Sequence, residues 1–220
     1  MWIKESARRG SKLKDMYSIS GVDVFIKDKL PDHVDPEFVF KYISSLLPPH
    51  VIDGVDIIYI GEFPRFKESG VNAYYEDGAI YVSNEQDDDR DMIDDIVHEI
   101  AHASEELHMD EIYIKSFIRE FKAKRRSLAA RLEDMYEIPE NIVMKIEYDK
   151  KIDDFFHKEV GYDILNQICV GIFPSAYAAT SIREYFARGF EEYFIGDREN
   201  LKNTCPILYR VLHSLISTED

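Results

Sequence analysis

The stretch "DDIVHEIAHASEELH", residues 94 to 108, sets His98 and His102 four positions apart, with Glu99 directly after the first histidine. On a helix, residues four apart share a face, so two imidazole nitrogens can each reach one ion at about 2 Å. Glu99 is turned by about 100° from His98 around such a helix, so its carboxylate can address a water on the ion without ligating the ion. The chemistry these residues suggest is metal-assisted hydrolysis. Zinc lowers the pKa of its water toward about 7 and polarises a carbonyl, while the glutamate takes the proton and passes it to the leaving group. A catalytic zinc also needs a third protein ligand, with a fourth position kept for water.

His108 stands at the spacing of the third ligand in HExxHxxGxxH, the metzincin pattern. There a glycine breaks the helix so that the last histidine can turn back to the metal. Here that position is Glu105, a good helix former, and a continuing helix carries His108 about 15 Å along the axis from His98. The alternative is a carboxylate from a separate helix, and "SIREYFARGFEEYF" (181 to 194) supplies one. Tyr185, Phe186, Phe190, Tyr193 and Phe194 are its expected buried aromatics. Glu184, Ala187 and Glu191 share another face, where the small Ala187 allows close approach of the histidine helix. Glu191 and Glu192 are further ligand candidates, but they lie near the helix end and are expected to face solvent.

HEIAH followed some eighty residues later by "EYFARGF" resembles the zinc peptidase domain of anthrax lethal factor and the related clostridial Pro-Pro endopeptidases, whose second motif joins a glutamate, two aromatics and an alanine. That family places a tyrosine seven residues before the ligand glutamate, and Tyr177 stands at that distance from Glu184. "NTCPILYRVLHSL" is similar to the closing helix of the Pro-Pro endopeptidases. The resemblance spans roughly residues 79 to 215. It implies a gluzincin site in which His98, His102 and Glu184 ligate one zinc ion, Glu99 is the general base and Tyr177 hydrogen-bonds the oxyanion. Two departures stand out. Arg188 occupies a position where the family often has an acidic residue, and no secretion signal is visible.

The elements that must position these residues are also legible. "VDVFI" (22 to 26) and "VDIIYIG" (55 to 61) read as strands. "DPEFVFKYISSLLPP" reads as a helix capped by Asp35, begun by Pro36 and ended by Pro48. Asp77-Gly78 between two alternating runs is a hairpin signal. Its second arm, Ala79 to Ser83, is expected at the sheet edge, where an extended peptide or protein substrate would pair with it. Apolar residues then recur at Met92, Ile93, Ile96, Val97, Ile100 and Ala101, the period of the histidine helix. Its acidic preface, Asp87 to Asp89, suits helix capping, and the glycine of a calcium loop is absent. Downstream, one long helix is expected over "MDEIYIKSFIREFKAKRRSLAARLEDMY" up to Pro139. Another covers "ENIVMKIEYDKKIDDFFHKEV" up to Gly161, a third runs from Thr180 to Ile195, and the last is "PILYRVLHSLI". The expected fold is α+β and zincin-like: a small N-terminal mixed sheet, the HExxH helix, and a mostly helical C-terminal half.

Composition bounds the rest. The chain of 220 residues, 45% of them hydrophobic, can bury one core. A single domain is expected over 21 to 220, behind a basic, flexible arm over residues 1 to 20 that carries Lys4, Arg8, Arg9, Lys12 and Lys14. A net charge of −16 argues against a nucleic-acid partner. No run approaches the roughly 18 apolar residues of a membrane span, so a cytoplasmic protein is expected, with non-classical export or delivery left open. Cys169 and Cys205 lack CxxC spacing and read as small buried hydrophobes. The function these features suggest is a zinc endopeptidase. The alternatives left open are an inactive zincin-fold scaffold and a metzincin-type site using His108.

Overall fold

The computed structural model describes residues 16 to 217. The chain divides into two compact units, Met1–Leu107 and His108–Asp220. The fold is α+β, with a mixed five-stranded sheet in the first unit and helices throughout the second.

The first unit opens with an antiparallel hairpin of β1 (Met16–Ile19) and β2 (Val22–Ile26), joined through Ser20 and Gly21 with φ of 50° and 97°. The expected arm lies outside the described residues up to residue 15, and β1 takes up Met16–Ile19. Helix α1 (Pro36–Leu46) has the boundaries its local signals predict. The Asp35 carboxylate accepts the Glu37 and Phe38 N–H groups, and Pro36 occupies the first turn. Then follow β3 (Ile57–Ile60), the short α2 (Pro64–Ser69), and the hairpin of β4 (Ala73–Glu76) and β5 (Ala79–Val82). Asp77 and Gly78 turn that hairpin with φ of 48° and 81°, the left-handed pair its two-residue loop requires.

Strand order is β1-β2-β3-β5-β4, with β2, β3 and β5 parallel and both outer pairs antiparallel. This corrects the assignment of Ala79 to Ser83 as the sheet edge: β5 is paired on both sides, and the free edge at that end is β4. Alternation sorts the strands into two faces. Val24, Ile58, Ile60, Ile80 and Val82 are buried with Val39, Phe40 and Ile43 of α1 and with Met92, Ile93 and Ile96 of α3 (Asp89–Leu107). On the opposite face Tyr59, Tyr81 and Tyr74 form a stacked row, with ring centres 5.4 and 4.6 Å apart.

The second unit begins with α4 (Met109–Ile112) and α5 (Lys115–Leu132). The single long helix expected here is therefore interrupted at Tyr113 and Ile114, where a β-branched and aromatic run is a poor helix former and Ile114 adopts extended geometry. The next expected helix begins ten residues late. Residues 140 to 144 form turns and 145 to 149 an irregular stretch, and α6 (Lys150–Asp154) starts where the Asp149 carboxylate caps it, before a wider turn over Phe155–Val160 that ends at Gly161. α7 (Tyr162–Ile168), α8 (Ile182–Phe194), α9 (Arg198–Thr204) and α10 (Pro206–Ile216) complete the chain. Tyr185 anchors this core, stacked 5.6 Å from Phe117 and edge-on to Phe173. Gly189 lets α10 come close, since a Cβ there would lie 2.3 Å from a Leu208 methyl. Cys169 and Cys205 are buried free thiols, and burial pushes Cys169 up to about 12. No helix among the described residues is long and apolar enough to cross a membrane.

Candidate metal centre

α3 carries the histidine pair. Its start is fixed by Asp88, whose carboxylate accepts the Arg90 and Asp91 N–H groups, so part of the acidic run caps as expected. Burial of Ile96, Val97, Ile100, Ala101 and Ala103 holds the helix against its unit. On it, the Nε2 atoms of His98 and His102 lie 3.1 Å apart, with the rings nearly perpendicular at 86°. Two nitrogens ligating one tetrahedral zinc would stand about 3.3 Å apart, so the pair is already close to chelating geometry. Glu99, the candidate base, is buried beside them.

Two carboxylates back the pair. Glu105 is buried, and its Oε2 lies 3.4 Å from His102 Nδ1. With the proton on Nδ1, that contact turns the lone pair of Nε2 toward the metal position. Glu105 thus keeps the helix intact, as its type predicts, and also contacts the imidazole of a candidate ligand, which its type alone does not reveal. Asp95, one turn before His98, accepts from Gln86 Nε2 at 3.1 Å. Burial pushes its carboxyl up to about 6, against the opposing pull of the Gln86 hydrogen bond and of His98.

In the second unit, Ser181 caps α8 by accepting the Glu184 N–H at 3.1 Å, which places Glu184 in the first turn. Tyr177 opens a short turn, Tyr177–Ala179, just before that cap. Thr180 holds the turn by donating from Oγ1 to the Tyr177 carbonyl at 2.8 Å. The Arg188 guanidinium lies 5.6 Å from the centre of the Tyr177 ring and donates from Nη1 to Glu191 Oε2 at 2.6 Å. Glu191 is therefore buried and ion-paired, which corrects its expected solvent-facing position. Burial raises the Tyr177 phenol well above the ordinary tyrosine range, and the neighbouring charge of Glu184 adds to this. Tyr162, whose ring centre is 6.5 Å from that of Tyr177, is likewise pushed up to about 12. Both phenols therefore keep their protons near neutral pH and can donate them in hydrogen bonds.

Among the described residues, one group of three could hold a metal ion: His98, His102 and Glu184, each offering one ligand atom, with those atoms all within 4.8 Å of one another. Two imidazoles and a carboxylate form a donor set that several divalent first-row metals accept. α3 continues unbroken through Glu105. His108 follows it, with Nδ1 3.6 Å from Glu111 Oε1, and does not belong to the group. Sequence spacing did not point to Tyr162 or to Glu105 as site residues. A carboxylate one helical turn after His102 is the one signal that could have found Glu105. No protein-family model, curated protein or solved structure matches the chain.

Proposed function

We propose that the chain is a zinc-dependent endopeptidase with a zincin-like fold, similar in its motifs to the lethal factor-like domains and the Pro-Pro endopeptidases. The observation that carries this reading is the facing pair of histidine Nε2 atoms on a helix that also bears Glu99. His98, His102 and Glu184 would hold one zinc ion per chain, and the donor set fits such an ion. Bound there, zinc supplies the Lewis acidity that activates a water and polarises the scissile carbonyl. Glu99 takes the proton of the attacking water on its carboxylate and delivers it to the departing amine nitrogen. The Tyr177 hydroxyl, kept protonated, donates a hydrogen bond to the oxygen on which negative charge develops. An extended substrate would add to the sheet along the free edge of β4, the strand of its unit next to α3.

Metal analysis and cleavage of a peptide library test this directly. The wild type is expected to carry one zinc per chain, and Glu99→Ala to keep the metal while cleavage falls at least a hundredfold. Glu184→Ala should lose zinc and His108→Ala should retain it, whereas the reverse pattern would move the third ligand to His108. A wild-type protein that holds zinc but cleaves nothing in a Glu99-dependent way would be a scaffold of this fold instead.

A further inference from the structure

Arg125 of α5 is fully buried, with its guanidinium 4.8 Å from the centre of the Phe121 ring. Its hydrogen bonds go to four main-chain carbonyls. Nε donates to Ala179 at 2.8 Å and Nη2 to Thr180, while Nη1 donates to Ile142 at 2.7 Å and Lys145 at 2.6 Å. These carbonyls come from the end of the short Tyr177–Ala179 turn and from the irregular stretch before α6. Only a guanidinium offers enough donors, in a fixed plane, to serve four acceptors at once. Burial lowers its pKa to about 10, so the group still carries its charge near neutral pH.

The two segments are not arbitrary. Ala179 and Thr180 close the turn that begins at Tyr177, and Thr180 immediately precedes the Ser181 cap that sets Glu184 in the first turn of α8. The second segment is laced to the same place, because the Ile182 N–H donates to the Ile146 carbonyl at 2.8 Å. A shift of residues 177 to 182 would therefore displace the phenol and the carboxylate together. A catalytic constellation tolerates errors of only about 0.5 Å, so such a segment needs an anchor outside itself.

We propose that Arg125 is a positioning residue, which fixes Tyr177 and Glu184 by clamping the carbonyls of Ala179 and Thr180 against those of Ile142 and Lys145. The inference rests on the zinc endopeptidase reading. Its neighbour Lys124 provides an internal control. Lys124 Nζ also donates to two carbonyls, those of Ile172 and Thr204, both at 2.6 Å, but these lie in other segments of the same unit.

The test compares wild type, Arg125→Lys, which keeps a charge but loses the planar fork, and Lys124→Met. Each is assayed at the same interval below its own melting temperature. Zinc affinity is measured by competition with a chromophoric chelator, ligand geometry by the visible spectrum of the cobalt(II) form, and turnover as separate kcat and KM. For Arg125→Lys, zinc affinity and kcat should each fall about tenfold, with an altered cobalt spectrum and KM within about twofold of wild type. Lys124→Met should match wild type in affinity and spectrum. Wild-type affinity and spectrum in Arg125→Lys, or an equal shift in Lys124→Met, would overturn the assignment. Should Arg125→Lys fail to fold, hydrogen exchange on the wild type decides. Zinc should raise amide protection in residues 142 to 146, which hold no ligand, and unchanged protection there would overturn the clamp. A wild type that binds no zinc at all fails at the first measurement and removes the zinc reading itself, which is a separate outcome.

Discussion

Glu105 carries more of the site than its residue type announces. Its carboxylate, 3.4 Å from His102 Nδ1, is placed to accept a proton held there, which would leave the Nε2 lone pair available. Glu105→Ala is accordingly expected to weaken zinc binding by about ten- to a hundredfold, and Glu105→Gln by less, since an amide oxygen can still accept from Nδ1. Chelator competition measures both, and an unchanged affinity in the alanine variant would show that the contact has no such role. Asp95 gives a second prediction at this scale, for the metal-free protein. Its carboxyl is raised from 3.8 to about 6 in the folded chain. Between those values the folded state holds the proton that the unfolded state has released, so stability falls as pH rises through the window. A rise of that size corresponds to about 3 kcal/mol at pH 7. Asp95→Asn should therefore be more stable than wild type by up to about that amount at neutral pH, and nearly equal to it in acid below the ordinary aspartate range. Denaturant titrations under the two conditions decide, and an equal difference in both would assign the burden to another group.

Among the elements, those with local punctuation were legible to the residue. Asp35, Pro36 and Pro48 delimit α1, Asp77-Gly78 sets the β4–β5 turn, and Pro206 starts α10. The HExxH helix is equally plain, because one buried stripe persists over its length. What sequence periodicity missed depends on partners distant in the chain. Residues 140 to 149 keep a helical apolar period, but the carbonyls of Ile142 and Lys145 are claimed by Arg125 and that of Ile146 by the Ile182 N–H. Likewise the interior place of β5 follows from its parallel pairing with β3, which no feature of Ala79–Val82 itself encodes. Close helix packing supplies a prediction here. Gly189 sits inside α8, where alanine is favoured over glycine by about 1 kcal/mol, yet a Cβ would lie 2.3 Å from Leu208. Gly189→Ala should therefore destabilise by about 1–3 kcal/mol in thermal unfolding, because overpacking exceeds the propensity gain. A stabilised variant would mean that Leu208 can move aside at little cost.

At the scale of the whole molecule, composition constrained class more than mechanism. Length and apolar content indicated one core in a single domain, and the division into two compact units was not visible in them. The candidate ligands could be named from motif spacing, whereas the carboxylates and phenols around them required the fold. The open end of the sheet bears on the molecule's behaviour in solution. β4 has a neighbouring strand on one side alone, and an open edge can recruit an extended chain, including another copy of the same protein. This edge is only four residues long, and its one acidic side chain, Glu76, is paired with Arg65 at 2.7 Å. Two such edges brought together would share a ladder of four residues at most, too short to persist by itself. The brevity of β4 thus limits what a second copy of the edge would gain by pairing with it.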